Sequence, residues 1–167
     1  AVTGVIVVAG NAGAGSAAEV VEQLRRRTRR LHVDALTAVQ GGRLVAILGG
    51  VTAPLRTVAD LDDCFGPGAV VVGPSVPHLF AAGRSARAAL SGLMAARAWP
   101  DAPRPALADD LLPERVLAGD AAARRALVDR VHRPLESAGA TLLDTVTTYL
   151  ESGGSLEGAA RQLFVHP

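Results

Sequence analysis

The sequence predicts an α+β fold in which an α/β sandwich is followed by a small helical bundle. Three observations indicate this fold class. Strand and helix patterns alternate over residues 1–99, prolines interrupt the chain just after, and only helical patterns follow from residue 120. The 167 residues are 49% hydrophobic, which suffices for a sizeable core. We expect a sheet domain at 1–99, a linker with a short helix at 100–119, and a helical domain at 120–167.

The first segment is predicted to run β-α-β-β-α-β-α. Val2–Ala9 is a β-rich apolar run, and Ser16 can cap a helix that continues to Arg30. The stretches LHVDALTAV and RLVAILGG flank the turn QGG, as in a hairpin. A short helix (TVADLDDCF), a buried strand (AVVVG) and a long helix (HLFAAGRSARAALSGLMAARA) follow. This order is the ferredoxin-like split pattern with one added helix.

The remaining elements are predicted to be helical. Pro100, Pro103 and Pro105 cannot continue a helix and favour an extended linker. After a short helix in DDLLPERVLAG, Asp120 can cap the next one. A further helix in LLDTVTTYLE ends at a Gly-Gly pair, and Ser155 begins the last. Three successive helices with tight turns indicate a small bundle.

Composition narrows the classes of function. The longest apolar runs fall far short of the roughly 20 residues of a membrane span, and no signal peptide is visible. The net charge of +1 gives no general attraction to nucleic acid, and all 17 basic residues are Arg. The single cysteine, Cys64, excludes an internal disulfide. We expect a cytoplasmic protein with no membrane partner, no metal and no cofactor.

The glycine-rich stretch GNAGAGS follows a strand and precedes a helix, where phosphate-binding loops occur. It lacks the Lys-Ser/Thr ending of a Walker loop, and Gly10, Gly13 and Gly15 have the spacing G-x-x-G-x-G. A plain β-to-α connection is therefore favoured. A nucleotide-binding or phosphoryl-transfer domain remains an alternative function.

The hairpin QGGRLVAIL resembles the GGDEF hairpin of diguanylate cyclases, in which acidic residues hold metal ions for phosphoryl chemistry. Gly41 and Gly42 match, but Arg43 and Leu44 stand where the family has Asp and Glu. The stretch from Ala1 to Ala18 contains no carboxylate. The departures imply a structural hairpin in a protein that is not an enzyme, because two-metal catalysis needs oxygen ligands.

Five arginines lie within RRRTRR near the end of the first predicted helix. Cations are favourable at a helix C-terminus, so a solvated surface is the simpler interpretation. A patch for the phosphates of nucleic acid or of an anionic effector is the alternative. The residues concerned are Arg25, Arg26, Arg27, Arg29 and Arg30.

The tail LLDTVTTYLESGGSLEGAARQLFVHP resembles the C-terminal helix-turn-helix of PucR/CdaR-family bacterial transcription regulators. The shared features are a helix ending in YLE, a GGS break, and a second helix with the pattern L-E-x-x-A-R-x-L-F-V-H. An apolar stripe supports the pattern: Leu156, Ala160, Leu163 and Phe164. The resemblance implies a partial DNA-binding element, covering roughly residues 120–167, that includes Ser155, Arg161, Gln162 and His166.

The first segment agrees with this resemblance, since the family places a degenerate GGDEF-like domain before its helical end. GRSARAAL resembles the closing helix of that domain, and ADDLLPERVLAGD is similar to actinobacterial members, one of which controls fatty-acid and mycolic-acid synthesis genes. The resemblance implies that full-length protein binds DNA as a homo-oligomer, with a small-molecule effector such as an acyl-CoA. We expect the recognition helix to lie beyond Pro167. A pure dimerisation module is the further alternative.

Overall fold

The computed structural model describes residues 4–165, which divide into two compact units on either side of the Arg124–Arg125 peptide bond. The first unit contains the sheet, and the second is helical. One helix, α5 (Ala121–Leu127), belongs to both, because the boundary falls within it.

The sheet of the first unit has five strands in the order β2-β3-β1-β4-β5. The neighbouring pairs among the first four strands are antiparallel, and β5 pairs parallel to β4. The order confirms the predicted split β-α-β-β-α-β pattern. The bounds are β1 Gly4–Ala12, β2 Asp34–Gln40, β3 Arg43–Val51, β4 Phe65–Val72 and β5 Ala106–Leu107.

Helices cover both faces of the central strand β1, because successive side chains of a strand point to opposite faces. Ile6 and Val8 pack on the side of α1, with Val20 and Leu24 of that helix. Ala9 packs on the other side with the α3 residues Ala89 and Leu93. This explains why β1 reads as a continuous apolar run. The helices of this unit are α1 Ala17–Arg30, α2 Pro54–Ala59, α3 Ala82–Ala95 and α4 Leu112–Leu117.

Much of the proline-rich segment packs onto the sheet, where the sequence predicts an extended linker. Ala106 and Leu107 form β5 opposite Val71 and Val72 of β4. Ala106, Ala108 and Leu111 are fully buried in the core on the α3 side. The short helix predicted after the prolines is α4. A two-residue strand has no periodicity of its own, so its pairing arises from tertiary contacts.

The second unit contains α6 (Arg133–Ser137), α7 (Ala140–Glu151) and α8 (Leu156–Leu163), preceded by a π-helical turn. Glycines with positive φ separate the helices: Gly139 (φ 120°) precedes α7, and Gly153 and Gly154 (φ 65° and 79°) follow it. The predicted helix that ends at the Gly-Gly pair is α7, and the one that begins at Ser155 is α8. The stretch predicted as one helix from Asp120 is α5, the π-helical turn and α6 in succession. Within residues 125–165 the buried hydrophobic side chains are those of Ala159 and Ala160.

Candidate functional site

The β2–β3 hairpin has the geometry expected from its Gly-Gly turn but not the ligands of a metal site. Gly41 and Gly42 have φ of 56° and 74°, conformations that glycine adopts without strain. Leu44 is fully buried in the core. Arg43 is exposed, and its Nη2 lies 3.2 Å from the Sδ of Met94. The two positions that correspond to the acidic pair thus provide an apolar core residue and a cation.

The adjoining end of β1 also lacks acidic side chains. Asn11 of β1 lies opposite Arg43 in the ladder. Across residues 4–165, no group of three His, Cys, Asp or Glu side chains is close enough to hold a metal ion. Neither the end of β1 nor the turn of the hairpin therefore carries a carboxylate for a divalent cation.

The glycine-rich loop leads into a capped helix rather than an open phosphate site. The hydroxyl of Ser16 accepts a hydrogen bond from the Glu19 backbone N–H, and Oε2 of Glu19 accepts from the Ser16 backbone N–H at 2.7 Å. The helix N-terminus already has a carboxylate beside it, and hydrogen bonds from Ser16 lower the pKa of Glu19. A phosphate placed here would meet a like charge, which argues against the nucleotide-binding alternative.

The arginine cluster lies on the last turns of α1, and one member is paired. Arg27 forms an ion pair with Asp63, which lowers the pKa of that carboxyl group. The neighbouring Cys64 is buried, and burial, reinforced by the charge of Asp63, raises the pKa of its thiol to about 11. Four arginines of the cluster are exposed: Arg25, Arg26, Arg29 and Arg30. Their effector role stays a prediction.

A buried charge network holds the start of α5, and its central residue is not evident from the sequence. The guanidinium of Arg115, 4% exposed, donates to Asp120 Oδ2 from Nη2 at 2.9 Å and from Nε at 3.1 Å. It also donates to the Ala108 carbonyl at 2.8 Å. The other carboxylate oxygen, Oδ1, caps α5 by accepting from the backbone N–H groups of Ala122 and Ala123. The sequence predicts that Asp120 caps this helix, but it does not predict that Arg115 holds Asp120 in place.

The environment of Asp120 stabilises its charged form. Burial alone would raise its pKa, but hydrogen bonds from Ser91, from Arg115 and from two backbone N–H groups outweigh burial and lower the pKa to about 2. The carboxylate is thus ionised throughout the physiological range. It joins α3 and α4 to the first turn of α5.

Three of the predicted helix-turn-helix residues, Ser155, Arg161 and Gln162, lie in the second unit, on α8 and its N-cap. The hydroxyl of Ser155 accepts from the Gly158 backbone N–H at 3.0 Å and caps α8, as predicted. Arg161 and Gln162 are exposed, and His166 lies outside the described residues. The predicted apolar stripe is only partly covered: Ala160 is buried, whereas Leu156 and Phe164 are 72% and 96% exposed. Phe164 turns away because it ends the helix in the left-handed conformation, with φ of 56°.

An apolar groove of about 280 Å³ runs between α7 and α8. Its walls include Tyr149, Leu156 and Leu163, together with the two buried alanines of α8. The alanines allow the helices to approach closely, and the leucines remain partly uncovered. The groove has the character of a surface on which another apolar element packs.

The split β-α-β-β-α-β sheet, together with a Gly-Gly hairpin that lacks the acidic pair, defines the class of degenerate GGDEF-like folds. Residues 3–95 match the family model described as "GGDEF-like domain". The chain belongs to this family. In the described part of the chain, no helix has the length and apolar character needed to cross a membrane.

Similar proteins extend the comparison to the helical region. The chain is 47% identical over 154 residues to "Uncharacterized protein Rv2242" of Mycobacterium tuberculosis and to "Uncharacterized protein Mb2266" of Mycobacterium bovis, covering 92% of this chain. It spans only 37% of the length of these curated relatives. A regulator of polyketide synthase expression from Bifidobacterium adolescentis has a similar crystal structure, with a TM-score of 0.85 and 30% identity. That match covers 99% of this chain and 67% of the regulator's chain.

Proposed function

We propose that this chain is part of a DNA-binding transcription regulator of the PucR/CdaR type. One observation carries the proposal. The similarity to the Bifidobacterium regulator extends over 99% of the chain at a TM-score of 0.85, so it includes the helical region as well as the sheet. A fold shared only by the GGDEF-like domain would not reach so far. The mycobacterial relatives are compatible with this function, and their names assign no other.

In the proposed regulator, α7 and α8 form the supporting part of a helix-turn-helix. The Ser155 cap fixes the start of α8, and the exposed Arg161 and Gln162 are available to DNA phosphates. The groove beside Leu156 and Leu163 would receive the next helix of the DNA-binding unit.

The sheet unit would act as a catalytically silent relay rather than as an enzyme. Its hairpin carries Arg43 and Leu44 in place of metal ligands, and Glu19 already occupies the N-terminus of α1. The carboxylate of Asp120 connects Arg115 of α4 to the first turn of α5. A change in the position of α4 would therefore reach the start of the helix that leads into the second unit.

The target genes we propose are those of acyl-chain or polyketide synthesis. The Bifidobacterium protein is a regulator of polyketide synthase expression. The family resemblance independently includes an actinobacterial regulator of fatty-acid and mycolic-acid synthesis. A small molecule of that metabolism, such as an acyl-CoA, would be the effector. The full-length protein would bind its operator as a homo-oligomer, as two-fold DNA sites require.

A DNA-binding titration tests the regulator proposal. The 167-residue chain is compared with a form extended by about 40 residues beyond Pro167 along its gene, which is room for a recognition helix and its support. Promoter fragments of synthase genes and of the regulator itself serve as probes. We expect only the extended form to bind selectively at moderate salt. If the extended form shows no selective binding to any host promoter, the regulator proposal is wrong.

A pair of substitutions in the extended form separates phosphate contacts from general charge. Arg161→Gln on α8 should weaken binding to all sequences about equally and reduce the salt dependence by about one charge. Arg56→Gln, at an exposed position of α2 in the sheet unit, removes the same charge and should leave binding unchanged. Equal effects of the two substitutions would contradict a role for α8.

A dimerisation module is the second candidate, and an exposed apolar face favours it. Leu36 of β2 is 59% exposed and lines one surface cavity with Ile47 and Leu79. A second copy of the chain would cover this face. Sedimentation equilibrium with Leu36→Glu tests this candidate: a dimer that the substitution dissociates supports it, and a monomer at all concentrations excludes it.

A further inference from the structure

We propose that a cleft at one end of the sheet binds a small organic anion, with an oxyanion head group on an apolar body. The cleft lies entirely within the first unit, where the end of α3 meets the start of β3 and the segment after α3. Its volume is about 560 Å³. Sites for small molecules in proteins typically measure about 300–1,000 Å³. The residues that line the cleft include Arg43, Leu93, Met94, Arg97, Trp99 and Arg104.

The cleft is cationic, and two of its three guanidinium groups lack a carboxylate partner. Arg104 is engaged, since its Nε donates to Asp62 Oδ1 at 2.8 Å and its Nη1 donates to the Gly66 carbonyl at 3.0 Å. Arg43 and Arg97 form no ion pair within residues 4–165. None of the residues that line the cleft is acidic.

The contact that Arg43 does make is weak and easily exchanged. Its Nη2 lies 3.2 Å from the thioether sulfur of Met94, which is a poor hydrogen-bond acceptor. A carboxylate or phosphate oxygen would replace the sulfur with a charge-assisted hydrogen bond, which is roughly twice as strong as a neutral one. Arg43 therefore exchanges a weak contact for a stronger hydrogen bond when an oxyanion enters the cleft.

The remaining wall is apolar and suits a hydrocarbon or aromatic body. Leu93 is buried at the back, Met94 is 45% exposed, and Trp99 is partly buried. The indole offers a flat surface for stacking, and methionine adapts its shape to a ligand. Charge on one side and apolar surface on the other select amphiphilic anions over inorganic ions and over neutral hydrocarbons.

The cleft is better formed as a ligand site than the arginine cluster of α1. The cluster is spread over exposed helix positions, and Arg27 is already paired with Asp63. The cleft encloses its cations together with apolar surface in one concavity. As an anion site the cleft is independent of DNA binding; as the place where an effector acts, it rests on the proposed regulator function.

Trp99 provides the assay, because it is the chain's single tryptophan. The 167-residue chain is titrated with 3-phenylpropanoate, 3-phenylpropyl phosphate and the neutral 3-phenylpropanol, which share one body and differ in the head group. We expect a saturable change in tryptophan fluorescence with an anion and at least tenfold weaker binding of the alcohol. Preference for the carboxylate or for the phosphate ester identifies which head group the site takes.

Matched arginine substitutions locate the binding. Arg43→Gln and Arg97→Gln should each weaken anion binding about tenfold or more, since each removes a charge-assisted contact from an exposed side chain. Arg84→Gln on α3 and Arg30→Gln on α1 remove equal charge outside the cleft and should not change the affinity. Arg43→Lys, which keeps the charge, should restore part of the binding.

The proposal would be overturned by no saturable response to either anion, by equal binding of the alcohol, or by unchanged affinity in Arg43→Gln and Arg97→Gln. A loss of affinity in Arg30→Gln alone would move the site to the α1 cluster and would also overturn it. The titration contains no DNA. Its failure would leave the regulator proposal standing, and failure of operator binding would leave the anion site standing.

Discussion

The two units of this chain differ in how completely they bury their apolar residues. In the sheet unit, both faces of β1 are covered, and Ile6, Leu24 and Leu48 are fully buried. In the helical unit, Leu150, Leu156 and Phe164 are 68%, 72% and 96% exposed. The hydrophobic effect is the main favourable contribution to folding, so the sheet unit contains its own source of stability. The helical unit leaves apolar surface that another element can cover.

The largest effect on the free energy of unfolding is expected from a substitution in the core of the sheet unit. Leu24→Ala removes a fully buried α1 side chain and should lower the free energy of unfolding by about 2–5 kcal/mol. Leu156→Ala, at a 72% exposed position of α8, should change it by less than about 0.5 kcal/mol. Urea unfolding monitored by circular dichroism measures both. Comparable losses would mean that the helical unit has a tighter core than its burial indicates.

The next effect concerns Asp120 and depends on pH. Because the pKa of Asp120 in the folded protein is lowered to about 2, its ionised form stabilises the fold by about 2 kcal/mol at neutral pH. This contribution is complete above the unfolded-state pKa of about 4 and is lost as the pH falls toward 2. Asp120→Asn should therefore lower stability at pH 7 and flatten the stability curve between pH 4 and 2.

The control for this prediction is Asp101→Asn, which changes an exposed aspartate in the same unit. Urea unfolding at several pH values from 2 to 7 measures each variant. If Asp120→Asn and Asp101→Asn have the same pH profile, the Arg115–Asp120 network does not stabilise the start of α5.

The smallest effects are expected when the helix cap of α1 or of α8 is removed, one in each unit. Ser16→Ala removes the hydroxyl of the α1 capping box, and Ser155→Ala removes the hydroxyl that caps α8. Each should lower the stability of its helix by about 1 kcal/mol. Hydrogen exchange measured by mass spectrometry locates the change. Exchange should rise in α8 alone after Ser155→Ala, and spreading of the effect into β1 would show that the two units unfold together.

Local patterns in the sequence predict most of the sheet unit. The apolar run of β1, the Gly-Gly turn and the Ser16 cap are properties of a few neighbouring residues, and each is present in the structure. The order of the strands then follows from the split pattern, because few arrangements connect such elements. The hairpin's resemblance to GGDEF domains likewise depends on adjacent residues and agrees with the family match.

The features that sequence reasoning misses depend on how separate segments meet in the folded chain rather than on the pattern within one segment. The strand β5 exists because Ala106 and Leu107 meet β4, and nothing in their own neighbourhood indicates a strand. Arg115 becomes buried because Ala108 and Asp120 supply partners from both sides. The anion cleft joins Arg43 and Arg97, which lie far apart in sequence. In a chain with many arginines, nothing in the residues beside Arg43 or Arg97 predicts that the two side chains line the same cleft.

The two edge strands of the sheet differ in length, and this affects where a strand of another chain could be added. One outer strand, β2, is seven residues long and alternates exposed and half-buried positions, whereas β5 at the other edge has two residues. An unpaired strand edge is a template for another strand, and a very short edge is a poor one. Addition of a strand is therefore expected to be more favourable at β2 than at β5. Two copies that joined β2 to β2 would use up both long edges, so such an assembly would close as a pair and would not polymerise into a fibre.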